Sequence, residues 1–229
     1  MKIVTYSNKG DRDINQDYFT SSSLGDTSSI YVVADGMGGY SSGEVAAKLV
    51  ADSIVEFTIA NLSNSLPIEL LKQSIKYADE CLSLKRYVMG VKEMGCVVVA
   101  LLVVDKTAYF AWVGDSRLYI FKGRRLFYKS EDHSIVNQMA KIKTLKAADY
   151  EKYASIVTQA IMGDEHKPIP DLNQFPIEKG DTYILCTDGV HKFIPLIDLL
   201  NEDENALKSS LEDLSEAIQD NYSFIKITF

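Results

Sequence analysis

The chain has 229 residues, with 24 basic and 32 acidic side chains and a formal net charge of -8. That length suffices for one domain with a full core, and the acidic balance argues against nucleic acid or an anionic membrane as the main partner. There is no basic-then-apolar leader at Met1 and no apolar run long enough to cross a bilayer, so the expectation is a soluble, cytoplasmic protein with no membrane partner.

Ile3 to Tyr6 reads as a short strand, closed by the turn Ser7 to Asp11. The polar segment Arg12 to Asp17 mixes one fixed cation with carboxylates and amides, then leads into Tyr18-Phe19. Ile30 to Asp35 is a β-branched apolar run bounded by Gly36, Gly38 and Gly39, which predicts a buried strand delivering Asp35 to a sheet edge. Ser41 and Glu44 stand three apart in the capping-box arrangement, announcing a helix. Two apolar stripes follow at helical spacing: Ala46, Val50, Ile54, Phe57, then Ile68, Leu71, Ile75, Ala78, Leu82, with Pro67 suited to the start of the second.

From Val97 the period changes to that of strands. Val97 to Val104 and Thr107 to Val113 join through Asp105-Lys106, and Arg117 to Phe121 and Arg125 to Tyr128 continue across Lys122-Gly123-Arg124, predicting an antiparallel meander. Helices segregated from strands favour the α+β class. Asp132 to about Gly163 is polar, lysine-bearing and weakly helical, an excursion from the core. A strand at Asp181 to Thr187 runs into Asp188-Gly189, a helix spans about Asn205 to Gln219, and Asp220-Asn221 precede a last strand, Tyr222 to Thr228. Cys81, Cys96 and Cys186 form no Cys-x-x-Cys pair and read as small buried hydrophobes; His133, His166 and His191 have no zinc-site spacing.

Four carboxylates, Asp35, Asp115, Asp188 and Asp220, each stand where a predicted strand begins or ends. A single Asp-Gly is a turn; four such residues suggest a shared edge. Carboxylates gathered together repel, so a cluster requires protons or cations. Oxygen-only donors point to Mg²⁺ or Mn²⁺ in preference to Zn²⁺.

Taken in order, Gly10-Asp11-Arg12 to Asn15-Gln16-Asp17, Val33 to Gly39, Met94-Gly95, Gly114 to Tyr119, Asp132-His133-Ser134, Gly180-Asp181, Leu185 to Gly189 and Asp220-Asn221 resemble the metal-dependent serine/threonine protein phosphatases of type 2C, the PPM family, particularly its compact bacterial members. The resemblance covers almost the whole chain and implies a single phosphatase domain over residues 1–229. It also implies a four-layer αββα sandwich of two antiparallel sheets flanked by helices. By resemblance, Asp35 bridges two Mn²⁺ or Mg²⁺ ions, Asp188 and Asp220 complete one site, and the Gly36 carbonyl belongs to the other. Asp115 matches a ligand of a third, weaker metal. The implied reaction is hydrolysis of phosphoserine and phosphothreonine in proteins by a hydroxide shared between two ions. Arg12 would grip the phosphate, and Asp17 would orient metal-bound water. The implied partner is a phosphorylated protein, opposing a Ser/Thr kinase, met by a monomer.

Four positions depart from the family pattern. Gln16 stands for a glutamate, Met37 for a histidine and Gln159 for an arginine. Lys192 replaces an aspartate that helps hold the third metal, which predicts a weakened third site with the ammonium pairing Asp115, the alternative being a lysine that points to solvent. Lys192 and Gln159 favour the competing reading, a catalytically weak phosphatase-like regulatory or binding module. Another reading keeps the chemistry and exchanges the substrate for small phosphate esters.

Overall fold

The computed structural model describes residues 1–37, 42–201 and 203–229. Ten strands form two five-stranded sheets. One sheet orders β1 (Lys2–Asn8), β10 (Tyr222–Thr228), β9 (Asp181–Cys186), β6 (Arg117–Lys122) and β7 (Arg125–Lys129). The other orders β2 (Asp17–Ser23), β3 (Ser28–Gly36), β4 (Cys96–Val104), β5 (Thr107–Val113) and β8 (Asp171–Pro176). Every neighbouring pair is antiparallel.

The layers follow from the period of two along each strand. In β3, Tyr31 and Val33 point between the sheets, where they meet Val99, Leu101, Phe110, Leu118, Ile120, Tyr183, Leu185, Ile225 and Ile227. The alternate residues Ile30, Val32 and Ala34 face α1 (Gly43–Asn61) and α2 (Pro67–Met89). The small residues Ala46, Ala47 and Ala51 let α1 lie close against that sheet. On the far side Tyr119, Ile184, Cys186, Tyr222 and Phe224 pack under α5 (Asp188–Phe193) and α6 (Glu204–Asp213). Because the central strands are apolar on both faces, burial of each large side chain contributes roughly 1.5–3 kcal/mol on either side of the sheet. The result is the expected α+β sandwich of four layers.

Three expectations are corrected. The four strands from Val97 do not make one meander: β4–β5 belong to one sheet and β6–β7 to the other, and the chain crosses between them at Gly114 to Ser116. Strands with two apolar faces carry no mark of which sheet they join. The second correction is β8, which has no counterpart in the sequence reading; it is an edge strand paired only with β5, so its mostly polar sequence needs one covered face at most. Third, the helix expected to reach Gln219 ends at Asp213. Of the capping box, Ser41 lies outside the described residues, as do Gly38 and Gly39; α1 is preceded by Ser42, whose side chain makes no capping bond. The excursion after Asp132 holds α3 (Ile135–Ala140) and α4 (Ala147–Tyr153). Cys96 and Cys186 are buried as expected, Cys81 only partly, and all three are free thiols.

Candidate active site

Both sheets end at one cleft of about 670 Å³, lined by Arg12, Gln16, Asp35, Gly36, Asp115 and Asp188 together with Asp220, Asn221 and others. Asp35 follows Tyr31 and Val33 on the inter-sheet face of β3, so the same periodicity that builds the core places its carboxylate where the core ends. Across the ladder Asp17 stands opposite Asp35 in register. From the facing sheet, Asp188 opens α5 just beyond β9, and Asp220 just precedes β10. Asp115 sits in the crossing between β5 and β6. At Gly36 a Cβ would lie 2.4 Å from the Gly43 carbonyl oxygen and 2.7 Å from that of Gln16, so only glycine lets these three segments meet. A larger cleft of about 1020 Å³ elsewhere has Asp198 as the one carboxylate on its wall among the described residues, so chemistry and not size selects the site.

The loop carrying Arg12 is tied down by one buried side chain. Asn221 accepts from the Gln16 amide at 2.8 Å and donates to the carbonyls of Lys9 at 2.9 Å and Ile14 at 3.0 Å. Arg12 Nε then donates to Asp220 Oδ1 at 3.1 Å on the half-exposed rim. Asp17 is buried, and Thr187 Oγ1 donates to its Oδ2 at 2.9 Å while Oδ1 has no partner. Thr187 itself is pinned by accepting from the Ser223 amide at 3.0 Å. Next to the Asp115 loop, Arg117 holds Asp132 through two bonds of 2.6 Å, and His191 Nε2 lies 3.1 Å from the Asp115 carbonyl.

Charge follows from this crowding. Burial, with Asp17, Asp188, Asp115 and Asp220 close by, raises the Asp35 carboxyl well above its usual range. Burial likewise pushes Asp17 to about 7, with the help of Asp188 and Asp220 and against the neighbouring hydroxyls of Ser223 and Thr187, of which Thr187 makes the bond to Oδ2. Asp115 rises to about 6 through burial and Asp188, a rise that Lys192 moderates. Lys192 Nζ lies 2.5 Å from Asp188 Oδ2. The expected pairing with Asp115 is thus corrected: the i,i+4 spacing on α5 puts the ammonium on Asp188, and its field reaches Asp115 from there. Partial desolvation opposes the charge of Lys192, yet Asp188, Asp115 and Asp220 outweigh that and raise its pKa.

Among the described residues, no three histidine, cysteine or carboxylate side chains are already closed on one point as a metal cage. The repelling carboxylates are held by Arg12 and Lys192 instead. The donor set nevertheless fits hard divalent cations. It is all oxygen, it carries more negative charge than its two cations offset, and it includes a buried carboxylate oxygen on Asp17 with no partner.

Of the residues singled out in the sequence, Arg12, Asp35, Gly36, Asp115, Asp188 and Asp220 line the cleft; Asp17 stands behind, and Gln159 is not on its wall. Gln16 and Met37 line it too. Sequence reasoning assigned no role to Thr187 or Asn221; Ser155, Ile156 and Val157, which form one wall, fall within Ser134 to Met162, the stretch expected as a flap over the site. The strand parity that places Asp17 opposite Asp35 also points Thr187 inward, a signal available from the alternation alone.

An antiparallel αββα sandwich with carboxylates at the shared strand ends defines the class: a phosphatase of the PPM type. The family model described as protein phosphatase 2C matches residues 6–225. The serine/threonine phosphatase stp of Listeria monocytogenes is 30% identical over 190 residues, 80% of this chain and 73% of its own. A bacterial serine phosphatase superposes with a TM-score of 0.87 at 26% identity, covering 100% of this chain and 97% of the other. Stp1 from Staphylococcus aureus gives 0.84 at 25% identity, covering 100% and 94%. The chain belongs to the protein phosphatase 2C family, the metal-dependent serine/threonine protein phosphatases.

Proposed function

We propose that this protein hydrolyses phosphoserine and phosphothreonine in proteins with Mn²⁺ or Mg²⁺, the reaction being carried by the carboxylates around Asp35. The observation that carries this reading is the convergence of Asp17, Asp35, Asp115, Asp188 and Asp220 from two sheets at one cleft, with Arg12 at its rim. Asp35, with the Gly36 carbonyl, Asp188 and Asp220, would hold two ions, and Asp115 a third, weaker one. When bound, such ions acidify water and neutralise charge on the phosphoryl group. The chain's own residues do the rest. Arg12, held to Asp220 through Nε, presents its guanidinium to the non-bridging phosphate oxygens. Asp17, fixed by Thr187 behind Asp35, would orient water held at the ions. Met37 supplies no proton, so leaving-group protonation falls to solvent.

The whole chain works as one phosphatase domain, as a cytoplasmic monomer opposing a Ser/Thr kinase; among the described residues no helix is long and apolar enough to cross a membrane. The test is phosphate release from a phosphothreonine peptide and an aryl phosphate with Mn²⁺, with Mg²⁺ and with chelator. Turnover that needs the cation supports the reading, and full activity in chelator ends it.

The segment from Ser134 to Met162 forms a flap that meets protein substrates. Ser155 to Val157 stand on the cleft wall, while Ile142 and Tyr150 face solvent beside Lys141 and Lys143. Removing the span from Met139 to Lys152 should lower turnover of a phosphoprotein and spare that of aryl phosphate. Equal losses for the two substrates would count against this role.

A further inference from the structure

Outside the cleft, one buried charge with no part in the chemistry so far is Asp79, on the inner face of α2 and wholly enclosed. An ionised side chain in such a place is costly unless it is paired. Both of its oxygens are engaged by the segment that follows the flap: Oδ1 accepts from the Gly163 amide at 2.7 Å, and Oδ2 meets Lys167 Nζ at 2.8 Å. Two turns further along α2, Arg86 donates to the Met162 carbonyl at 2.6 Å and to the Lys92 carbonyl. The contact is close. Gly163 has φ +58°, and a Cβ there would lie 2.4 Å from the Ser83 amide nitrogen of α2.

This root of the flap is also joined to the sheet that carries Asp35. Ile161 and Cys96 exchange both backbone bonds, at 2.9 and 3.0 Å, and Cys96 stands opposite Gly36 in the ladder. Ile161 is fully buried, and the cleft-wall residues Ser155 to Val157 precede it by only a few positions. Where the flap leaves the core, α2 therefore fixes both its height and its direction.

We propose that Asp79, assisted by Arg86, is a positioning residue that anchors the trailing root of the flap and so sets how Ser155 to Val157 receive a protein-borne phosphate. The proposal rests on the phosphatase reading above. The reacting groups lie at strand ends, in the Asp115 crossing, at the start of α5 and on the Arg12 loop, and the hydrogen bonds of Asp79 go to none of them. Loosening the root should therefore change the binding of large substrates and leave hydrolysis of small ones alone.

The test compares Asp79→Ala, Asp79→Asn and Lys167→Gln with the parent in the full chain. Backbone hydrogen exchange is followed over residues 155–163, and steady-state kinetics on a phosphothreonine protein and an aryl phosphate. In Asp79→Ala the exchange of the Ile161 and Gly163 amides should accelerate about tenfold. KM for the phosphoprotein should rise about fivefold or more, with kcat for the aryl phosphate within about twofold. Asp79→Asn keeps an acceptor for the Gly163 amide and should show a smaller effect in the same direction. If Asp79→Ala does not fold, Asp79→Asn and Lys167→Gln carry the comparison. Unchanged exchange in the folded variants, or losses in equal proportion on both substrates, would overturn the proposal. A parent chain inactive on both substrates would instead refute the phosphatase reading, while the exchange data still decide whether Asp79 anchors the root.

Discussion

Asp35→Asn should reduce phosphate release by roughly a thousandfold or more, because it removes the charge placed between the two proposed cation sites while leaving the shape of the side chain intact. The same substitution should have the opposite effect on the metal-free fold. Asp35, Asp17 and Asp115 all hold their protons more tightly in the folded chain than in the unfolded one, where the reference carboxyl pKa is 3.8. The folded state therefore binds more protons, and stability falls as pH rises from about 4 through about 7 and beyond. His191 works the other way: its burial lowers its pKa to about 4, so its contribution is lost as pH falls below about 6.5. Melting in chelator at about pH 7.5 and about pH 8.5 separates the two, since His191, with an unfolded pKa of 6.5, is largely neutral in both folded and unfolded chains across that interval. The parent should melt lower at the higher pH, and Asp35→Asn should show a shallower fall. Added Mn²⁺ should raise the parent's melting temperature most at the higher pH, where the carboxylates are ionised. Retained turnover in Asp35→Asn would remove the residue from the chemistry, and a melting temperature that climbs with pH in the metal-free parent would remove the electrostatic account.

The sequence made the strands of the site legible because its carboxylates sit at ends of strongly periodic apolar runs. Ile30 to Asp35 and Asp181 to Thr187 could be read as strands from a few residues each, and their last side chains were placed at an edge by the same reading. The motif order extended this to a four-layer sandwich. What stayed hidden depends on contacts between distant segments. No local pattern says that β5 and β6 join different sheets, or that the polar stretch Asp171 to Pro176 pairs with β5. Asn221 is unremarkable as a residue after an aspartate, yet it holds Lys9, Ile14 and Gln16 together. Asp79 is hidden by its helix, where a polar residue beside an apolar stripe does not announce its partners.

Lys192 is the departure whose consequence the geometry now sharpens. It lies one turn after Asp188 on α5, and at 2.5 Å its ammonium occupies one of the oxygens that a cation would use. It also lowers the negative potential at Asp115, the residue matched to the third ion. An exposed i,i+4 pair contributes only about 0.3–0.5 kcal/mol, but here three carboxylates hold the partly exposed ammonium charged, so any ion entering beside Asp188 must displace it or sit next to it. Two variants divide the cause. Lys192→Met removes the competing charge without adding a ligand, and should lower the Mn²⁺ concentration for half-saturation about tenfold with no change in the number of ions bound. Lys192→Asp also adds oxygen donors, and should both lower that concentration and add a bound ion. Titration calorimetry and metal content after gel filtration read both quantities without reference to turnover. Identical stoichiometry and identical titration curves in the two variants and the parent would show that the Lys192–Asp188 pair has no part in cation binding.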